Sequence, residues 1–526
     1  MDANAFHVYD TTLRDGAQQE GLNLSVIDKI NIAKHLDNLG VGFIEGGFPG
    51  ANPRDTEFFR LAQTELKLKY ATLAAFGSTR RPNSKAADDQ LVRALVDSQA
   101  PVVTLVAKSF DRHVELALRT TLEENLLMIK DTIEYLRSEG RRVFLDAEHF
   151  FDGYHSNPEY ALEVVRTSAT AGAEVVALCD TNGGMLPDQM GEIVNKILEQ
   201  SGARLGIHCH DDTNCAVANT LTAVDAGVTH VQGTANGYGE RSGNANLFSV
   251  VANLQLKKGM EVVPKEALKE MTRISHLVSE ITNVAPNQHQ PYVGLSAFAH
   301  KAGLHASAVK IDPMLYQHID PSEVGNDMRT LVSDMAGRAS IELKGKELGI
   351  DLSEQKEVVG KVVAKVKELE NRGYTFEAAD ASFELLLRKE LGKDDQKFFT
   401  VESWRAIVEQ LPNGEVTSEA TVKVKAGNER LVEVGEGNGP VNALDKALRS
   451  ALGKIYPELE KLELIDYKVR ILDGDKGTSA VTRVLIETSD GETEWDTVGV
   501  HENVIAASWN AISDAVLYGL LRRNPS

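Results

Sequence analysis

Eight times between residues 6 and 236 a short, β-rich apolar run is followed by a longer amphipathic stretch, and few folds accept that beat. The runs are 6–9, 41–45, 71–76, 102–107, 143–146, 174–179, 205–208 and 230–233. Between them, segments such as 26–39, 122–137, 158–170 and 215–226 carry apolar residues at the spacing of a helix with one buried face. Parallel strands covered on both faces read as unbroken apolar runs, and the chain must cross back between them, usually as helix. Eight β-then-α units in a row therefore predict a closed (β/α)8 TIM barrel rather than a doubly wound sheet, which more often has five or six strands.

A barrel of this kind keeps its chemistry at the carboxyl ends of the strands. Arg14, Asp15 and Gln18 follow the first predicted strand, Glu148 the fifth, Thr181 the sixth, and His208-Cys209-His210 the seventh. In an extended strand, residues two apart share a face, so His208 and His210 project together while Cys209 turns away. Asn244, just beyond strand eight, is a candidate to close a ring of Asp15, His208, His210 and Asn244 around one metal ion, although a lone H-x-H without that context is more often structural. Two imidazoles, a carboxylate and an amide oxygen suit several divalent ions and leave positions for a bidentate oxo-acid. Arg14 has two readings: an ordinary salt-bridged residue, or a fixed guanidinium that stabilises an alkoxide as a ketone is attacked. Glu148 and His305 are candidates for proton transfer, or else plain polar residues at a strand end and on a helix.

At 526 residues the chain needs more than one core. The barrel is expected over 1–262. Residues 263–395 look mainly helical and include a second histidine-rich segment, Ala297 to His305, expected to form a lid or linker subdomain. Residues 396–526 repeat a strand-strand-helix pattern, with 420–424, 430–434 and a helix through Val441, Leu444, Leu448 and Leu452, then 467–472, 481–487 and a helix through Ile505, Trp509, Ile512 and Val516. That compact α+β module has no cluster of catalytic residue types and reads as regulatory or for assembly.

A net charge of −21 argues against general binding to nucleic acid or an anionic membrane, so an anionic substrate must be drawn by a metal or by particular Arg and Lys residues. The start Met1-Asp2-Ala3-Asn4 lacks the regions of a signal peptide, and no apolar run approaches the roughly 20 residues that span a bilayer. A cytoplasmic protein is expected. The three cysteines, Cys179, Cys209 and Cys215, form no C-x-x-C pair; each is read as a small buried residue, with a thiolate ligand the lesser alternative.

With these residues in view, the chain resembles the family of acetyl-CoA-dependent 2-oxoacid condensing enzymes that includes the 2-isopropylmalate, homocitrate and citramalate synthases. The resemblance rests on T-L-R-D-G-x-Q at 12–18, H-x-H at 208–210, G-N-A at 243–245 and a carboxyl-terminal module like the leucine-sensing domain of that family. Segments 44–50, 146–154, 178–184 and 236–241 look most like its longer citramalate-forming members of the isoleucine pathway. The resemblance implies an acyltransferase that joins acetyl-CoA to pyruvate and hydrolyses the thioester to (R)-citramalate. It also implies metal binding by Asp15, His208, His210 and Asn244 (Mn2+, Mg2+ or Zn2+), polarisation of the ketone by Arg14, and a carboxylate site at Thr181. His305 paired with Glu148 would be the base for the acetyl methyl group, completed by Tyr316, in a homodimer regulated by isoleucine. Two alternatives stand beside it: a 2-isopropylmalate or homocitrate synthase using a larger 2-oxoacid, and a non-catalytic amino-acid sensor on a decayed barrel. The family's usual H-x-H-N-D-x-G is here His208-Cys209-His210-Asp211-Asp212-Thr213-Asn214, so an extra carboxylate is expected beside the metal, and Asn214 is expected to take the left-handed conformation open to Gly.

Overall fold

The computed structural model describes residues 6–333, 335–392, 398–472 and 474–523. Two compact units divide it: Met1–Phe298 with Ile319–Asp327, and Ala299–His318 with Met328–Ser526. The expected boundary at 395/396 lies outside the described residues, as do residues 1–5.

The first unit is a closed barrel of eight parallel strands in sequence order. They are β1 (His7–Asp10), β2 (Phe43–Glu45), β3 (Thr72–Ser78), β4 (Val102–Lys108), β5 (Arg142–Glu148), β6 (Val175–Asp180), β7 (Leu205–Cys209) and β8 (His230–Gly233). β1 closes on β8 with His7 opposite His230 and Asp10 opposite Gly233. The crossover helices start and stop where local chemistry dictates. Helix Val26–Leu39 opens on a capping box between Ser25 and Asp28 and ends at left-handed Gly40. Asn52 and Asn157 cap helices Pro53–Glu65 and Pro158–Ala171, each with proline in its first turn, where a missing N–H costs nothing. Inside the barrel, Tyr9, Phe43, Ala74, Val102, Phe144 and Val175 pack into one apolar layer. That layer is why the interior is a solid floor and the chemistry is confined to the mouth.

In the second unit, β9 (Ala299–His300) and β10 (Arg329–Thr330) pair in parallel, and helices Arg338–Glu347, Lys356–Asn371 and Asp380–Glu390 share an apolar core. Two antiparallel sheets follow. β11 (Thr400–Gln410), β12 (Val416–Ala426) and β13 (Glu429–Gly437) are covered by helix Pro440–Gly453, and β14 (Glu463–Ile471), β15 (Thr482–Ser489) and β16 (Glu494–His501) by helix Val504–Arg523. The repeat is real, but each half has three strands where the sequence pattern predicts two. β11 went unread because Glu402, Arg405 and Glu409 break its apolar run, and β16 because Asp496 and Gly499 do the same. Helix Val504–Arg523 also departs from expectation, being long and apolar enough by length and composition to cross a membrane. Just over half of its apolar window is buried, and Ala507, Trp509, Ile512, Val516 and Leu520 belong to the core beneath the sheets.

Candidate metal and oxoacid site at the barrel mouth

The loop after β1 is shaped before any ligand is considered. Asp10 accepts from the backbone N–H of Thr12 at 2.9 Å and from the Thr12 hydroxyl at 2.8 Å, while Thr12 Oγ1 accepts the N–H of Ala235 at 2.7 Å. Burial pushes the Asp10 carboxyl up to about 7. This clasp ties the first strand's end to the eighth's and presents Arg14 and Asp15 to the mouth.

Asp15, His208 and His210 come together there, all buried and each with one potential ligand atom within 4.8 Å of the others; among the described residues this is the one such group of three or more His, Cys, Asp or Glu side chains. Asp15 Oδ2 lies 3.5 Å from His208 Nε2 and 3.9 Å from His210 Nε2. Asn244 joins them: its Nδ2 donates to Asp15 Oδ1 at 3.1 Å and to the carbonyl of Tyr238 at 3.0 Å, and its Oδ1 is buried without a hydrogen-bond partner. Asn244 is delivered by a loop that only glycine can build. A Cβ at Gly239 (φ +149) would stand 2.2 Å from Asn244 Nδ2, and one at Gly243 (φ +92) would stand 2.0 Å from the carbonyl oxygen of Gly237. Burial opposes charge on Asp15, but Arg14 and the two imidazoles outweigh it and hold the carboxylate well below its usual range. Burial also pulls His208 down to about 4 and lowers His210, so both rings are neutral near pH 7. Neutral imidazoles, an ionised carboxylate and an orphaned amide oxygen are a donor set that fits a divalent cation.

The salt-bridged reading of Arg14 holds, and the ion pairs also fix its guanidinium at the mouth. It is ion-paired, with Nε 2.6 Å from Glu45 Oε2 and Nη1 2.9 Å from Asp15 Oδ2, and its guanidinium lies 3.9 Å over the Phe76 ring. Held on two sides and from below, the fork cannot swing, as a group meant to meet developing charge requires. A cavity of about 260 Å³ is lined by Arg14, Asp15, Gln18, Glu148, Thr181, His208 and His210, with Phe76, Val106 and Cys179 as its apolar wall. Thr181 Oγ1 accepts the backbone N–H of His149 at 2.9 Å. Glu148 is ion-paired with Lys108. His305 and Tyr316 belong to the other compact unit, where their rings stack at 4.1 Å.

Asp211 does not join the group of Asp15, His208 and His210. Its Oδ1 accepts the N–H of Ala216 at 2.8 Å, capping helix Ala216–Asp225, because the turn after His210 aims it at the orphan amides of that helix. Asn214 takes the left-handed conformation (φ 58), as expected. Cys179 and Cys209 are buried thiols whose ionisation burial disfavours; Cys179 reaches the cavity wall, Cys209 the core.

Glu45, Phe76, Lys108, Asp146 and Gln232 also shape the mouth and were not among the expected site residues. Their signal is weak: Glu45, Asp146 and Gln232 are each a charge or amide within a run otherwise read as buried strand, Lys108 directly follows such a run, and Phe76 reads as one more apolar strand residue.

Comparison with known proteins places these features. Residues 5–278 match the HMGL-like family, residues 292–374 the homocitrate synthase post-HMGL domain-like family, and residues 377–520 the LeuA allosteric (dimerisation) domain. The chain is 69% identical to the (R)-citramalate synthase of Streptomyces coelicolor, covering 99% of this chain and 97% of that one. It is 51% identical to the (R)-citramalate synthase of Aquifex aeolicus (99% and 98%) and 32% identical to the 2-isopropylmalate synthase of Methanocaldococcus jannaschii (98% and 95%).

Proposed function

The chain belongs to the HMGL-like family and, within it, to the (R)-citramalate synthases, and from that membership we propose that it joins acetyl-CoA to pyruvate and hydrolyses the thioester, releasing (R)-citramalate and CoA. The observation that carries this reading is that identity runs through the whole chain and favours citramalate synthases, at 69% and 51%, over a 2-isopropylmalate synthase at 32%.

Asp15, His208, His210 and Asn244 are the residues that would hold one divalent ion, Mn2+, Mg2+ or Zn2+. Bound there, such an ion supplies Lewis-acid polarisation of the oxygens of a 2-oxoacid. Arg14 offers N–H donors to the ketone oxygen and stabilises the alkoxide that develops as the carbonyl carbon is attacked. Thr181 Oγ1 accepts from the His149 N–H, so its hydroxyl hydrogen is directed to the substrate carboxylate, beside the Gln18 amide. Proton removal from the acetyl methyl group is assigned to Glu148 and His305, with Tyr316 beside the latter. The carbanion bonds to the ketone carbon of pyruvate, and water then cleaves the thioester so that CoA leaves as the thiol.

The active species is proposed to be a cytoplasmic homodimer, supported by the match to a dimerisation domain. Isoleucine is its proposed effector. Support comes from a cavity of about 910 Å³ in the carboxyl-terminal module, where Asp445, Lys446 and Arg449 offer charges for the amino acid's ends and Val441, Leu462 and Leu464 an apolar wall for its side chain.

Thiol release from acetyl-CoA across a panel of 2-oxoacids tests the activity. Pyruvate is expected to be turned over best and 2-oxoisovalerate poorly, since an isopropyl group overlaps a wall fitted to a methyl. Comparable turnover of the two overturns the assignment in favour of a broader synthase, and no thiol release with any 2-oxoacid overturns the enzymatic reading.

A further inference from the structure

Every polar atom of the Gln232 side chain is engaged inside the barrel. Nε2 lies 2.8 Å from Asp146 Oδ1 and 3.3 Å from His230 Nε2, and Oε1 lies 2.9 Å from His208 Nδ1. Behind it, His230 Nδ1 is 3.3 Å from His7 Nδ1. All five side chains are buried.

With Asp146 ionised, one placement of hydrogens satisfies the whole set. The carboxylate only accepts, so the amide nitrogen faces it. The second amide hydrogen goes to His230 Nε2, which is therefore bare. Burial keeps His230 neutral, so its hydrogen sits on Nδ1 and is given to His7. Gln232 Oε1 is then an acceptor, which puts the His208 hydrogen on Nδ1 and leaves Nε2 bare. That bare nitrogen is the atom 3.5 Å from Asp15 Oδ2. A reversed amide demands a proton on Asp146, which burial raises to about 7, and the opposite tautomer on all three imidazoles at once.

We propose that Gln232 is the positioning residue of His208: clamped between Asp146 and His230, its amide fixes the His208 tautomer and aims the Nε2 lone pair at the cation site. The commoner partner of a metal-binding histidine is a carboxylate or a backbone carbonyl. A carboxylate here would stand against Asp146, whereas the amide passes on the acceptor character of Asp146 and adds no charge. The inference rests on the reading of Asp15, His208 and His210 as holders of a divalent ion.

The test is Mn2+ binding to the chelator-stripped, full-length protein, by calorimetry at pH 8, where Asp146 is charged. Wild type is expected to bind. Gln232→Met, similar in length but without the amide, is expected to bind about 10- to 100-fold more weakly with an unchanged circular dichroism spectrum. The paired exchange Gln232→Glu with Asp146→Asn, which reinstates acceptor and donor in reversed order, is expected to recover most of that loss. Independently, 15N-histidine spectra of the metal-free wild type, with the His208 signal found by its loss in His208→Asn, should show hydrogen on Nδ1. Equal Mn2+ affinity in a folded Gln232→Met protein overturns the proposal, as does an Nε2-protonated His208, and the spectra decide if that variant does not fold. A wild type that binds no Mn2+ overturns the metal reading instead, and the tautomer still stands or falls on the spectra.

Discussion

Arg14 and Glu45 form an ion pair at 2.6 Å that is sealed from behind, because the Glu45 carboxylate is fully buried and also accepts the Tyr9 hydroxyl at 2.7 Å. The guanidinium is thereby aimed by a residue 31 positions away that never faces the cavity. Arg14→Lys keeps the charge but loses the planar fork and the stack on Phe76, and turnover is expected to fall by about 100-fold or more. Glu45→Gln keeps shape and loses the charge that holds Arg14, so a smaller fall, about tenfold, is expected. Steady-state kinetics on pyruvate check both; a near-normal Arg14→Lys enzyme would return Arg14 to a structural role.

His210→Ala is expected to abolish activity while leaving the barrel folded, since a ligand is lost and the apolar layer below is untouched. Exhaustive chelation should do the same to the wild type, with recovery on adding back Mn2+, Mg2+ or Zn2+. Undiminished activity after chelation would remove the metal from the reaction.

Asp211→Asn leaves an oxygen to accept the Ala216 N–H, so a loss of under about 1 kcal/mol in stability is expected. The order in which divalent ions restore activity should not change. A changed order, read from the same add-back series, would put Asp211 back beside the metal.

His7, buried at the start of β1, is lowered by burial to about 4 against 6.5 when unfolded. Between those values the unfolded chain binds more protons, so this group's contribution to stability is present above pH 6.5 and lost as pH falls toward 4. Asp10 and Asp146, raised to about 7, act in the opposite sense over the same window, so a difference must be read. The melting temperature of His7→Phe relative to wild type is expected to climb between pH 7 and 5, by the equivalent of about 2 kcal/mol from one imidazole. A pH-independent difference would show that His7 titrates normally.

Isoleucine is expected to inhibit citramalate formation more than leucine or valine, with a coupling of about 1–3 kcal/mol. Val441→Trp, which puts a bulky ring where the effector's side chain would lie in the carboxyl-terminal cavity, should weaken inhibition and spare the uninhibited rate, and a chain ending near Gln396 should not respond at all. Insensitivity of the full chain to all three amino acids would leave the module a role in assembly alone.

The barrel was legible because strands buried on both faces must be apolar throughout. Helix Val26–Leu39 falls on its predicted span, and strands such as β3 and β5 lie within two residues of theirs. Asp15, His208 and His210 were legible as a group because strand ends converge in a closed barrel whatever their separation in the chain. Glu45 and Gln232 were not, because a polar residue inside a buried strand says that a partner exists without saying which: Arg14 is 31 positions from Glu45, and His208 is 24 from Gln232. β11 and β16 failed for a different reason. β11 lies in a sheet covered on one face, which needs only alternate apolar positions, and charges on its open face erase the run, whereas β16 is buried on both faces and is interrupted by Asp496 and by Gly499, which packs against the covering helix.

The loop that delivers Asn244 puts a cost on sequence change where no chemistry happens. In a saturation screen, positions 239 and 243 should tolerate substitution as poorly as Asp15 or His210, although neither glycine offers an atom to a metal or a substrate. Part of what specifies this site is therefore written as empty space, and a search for function that scores only reactive side chains would pass over it.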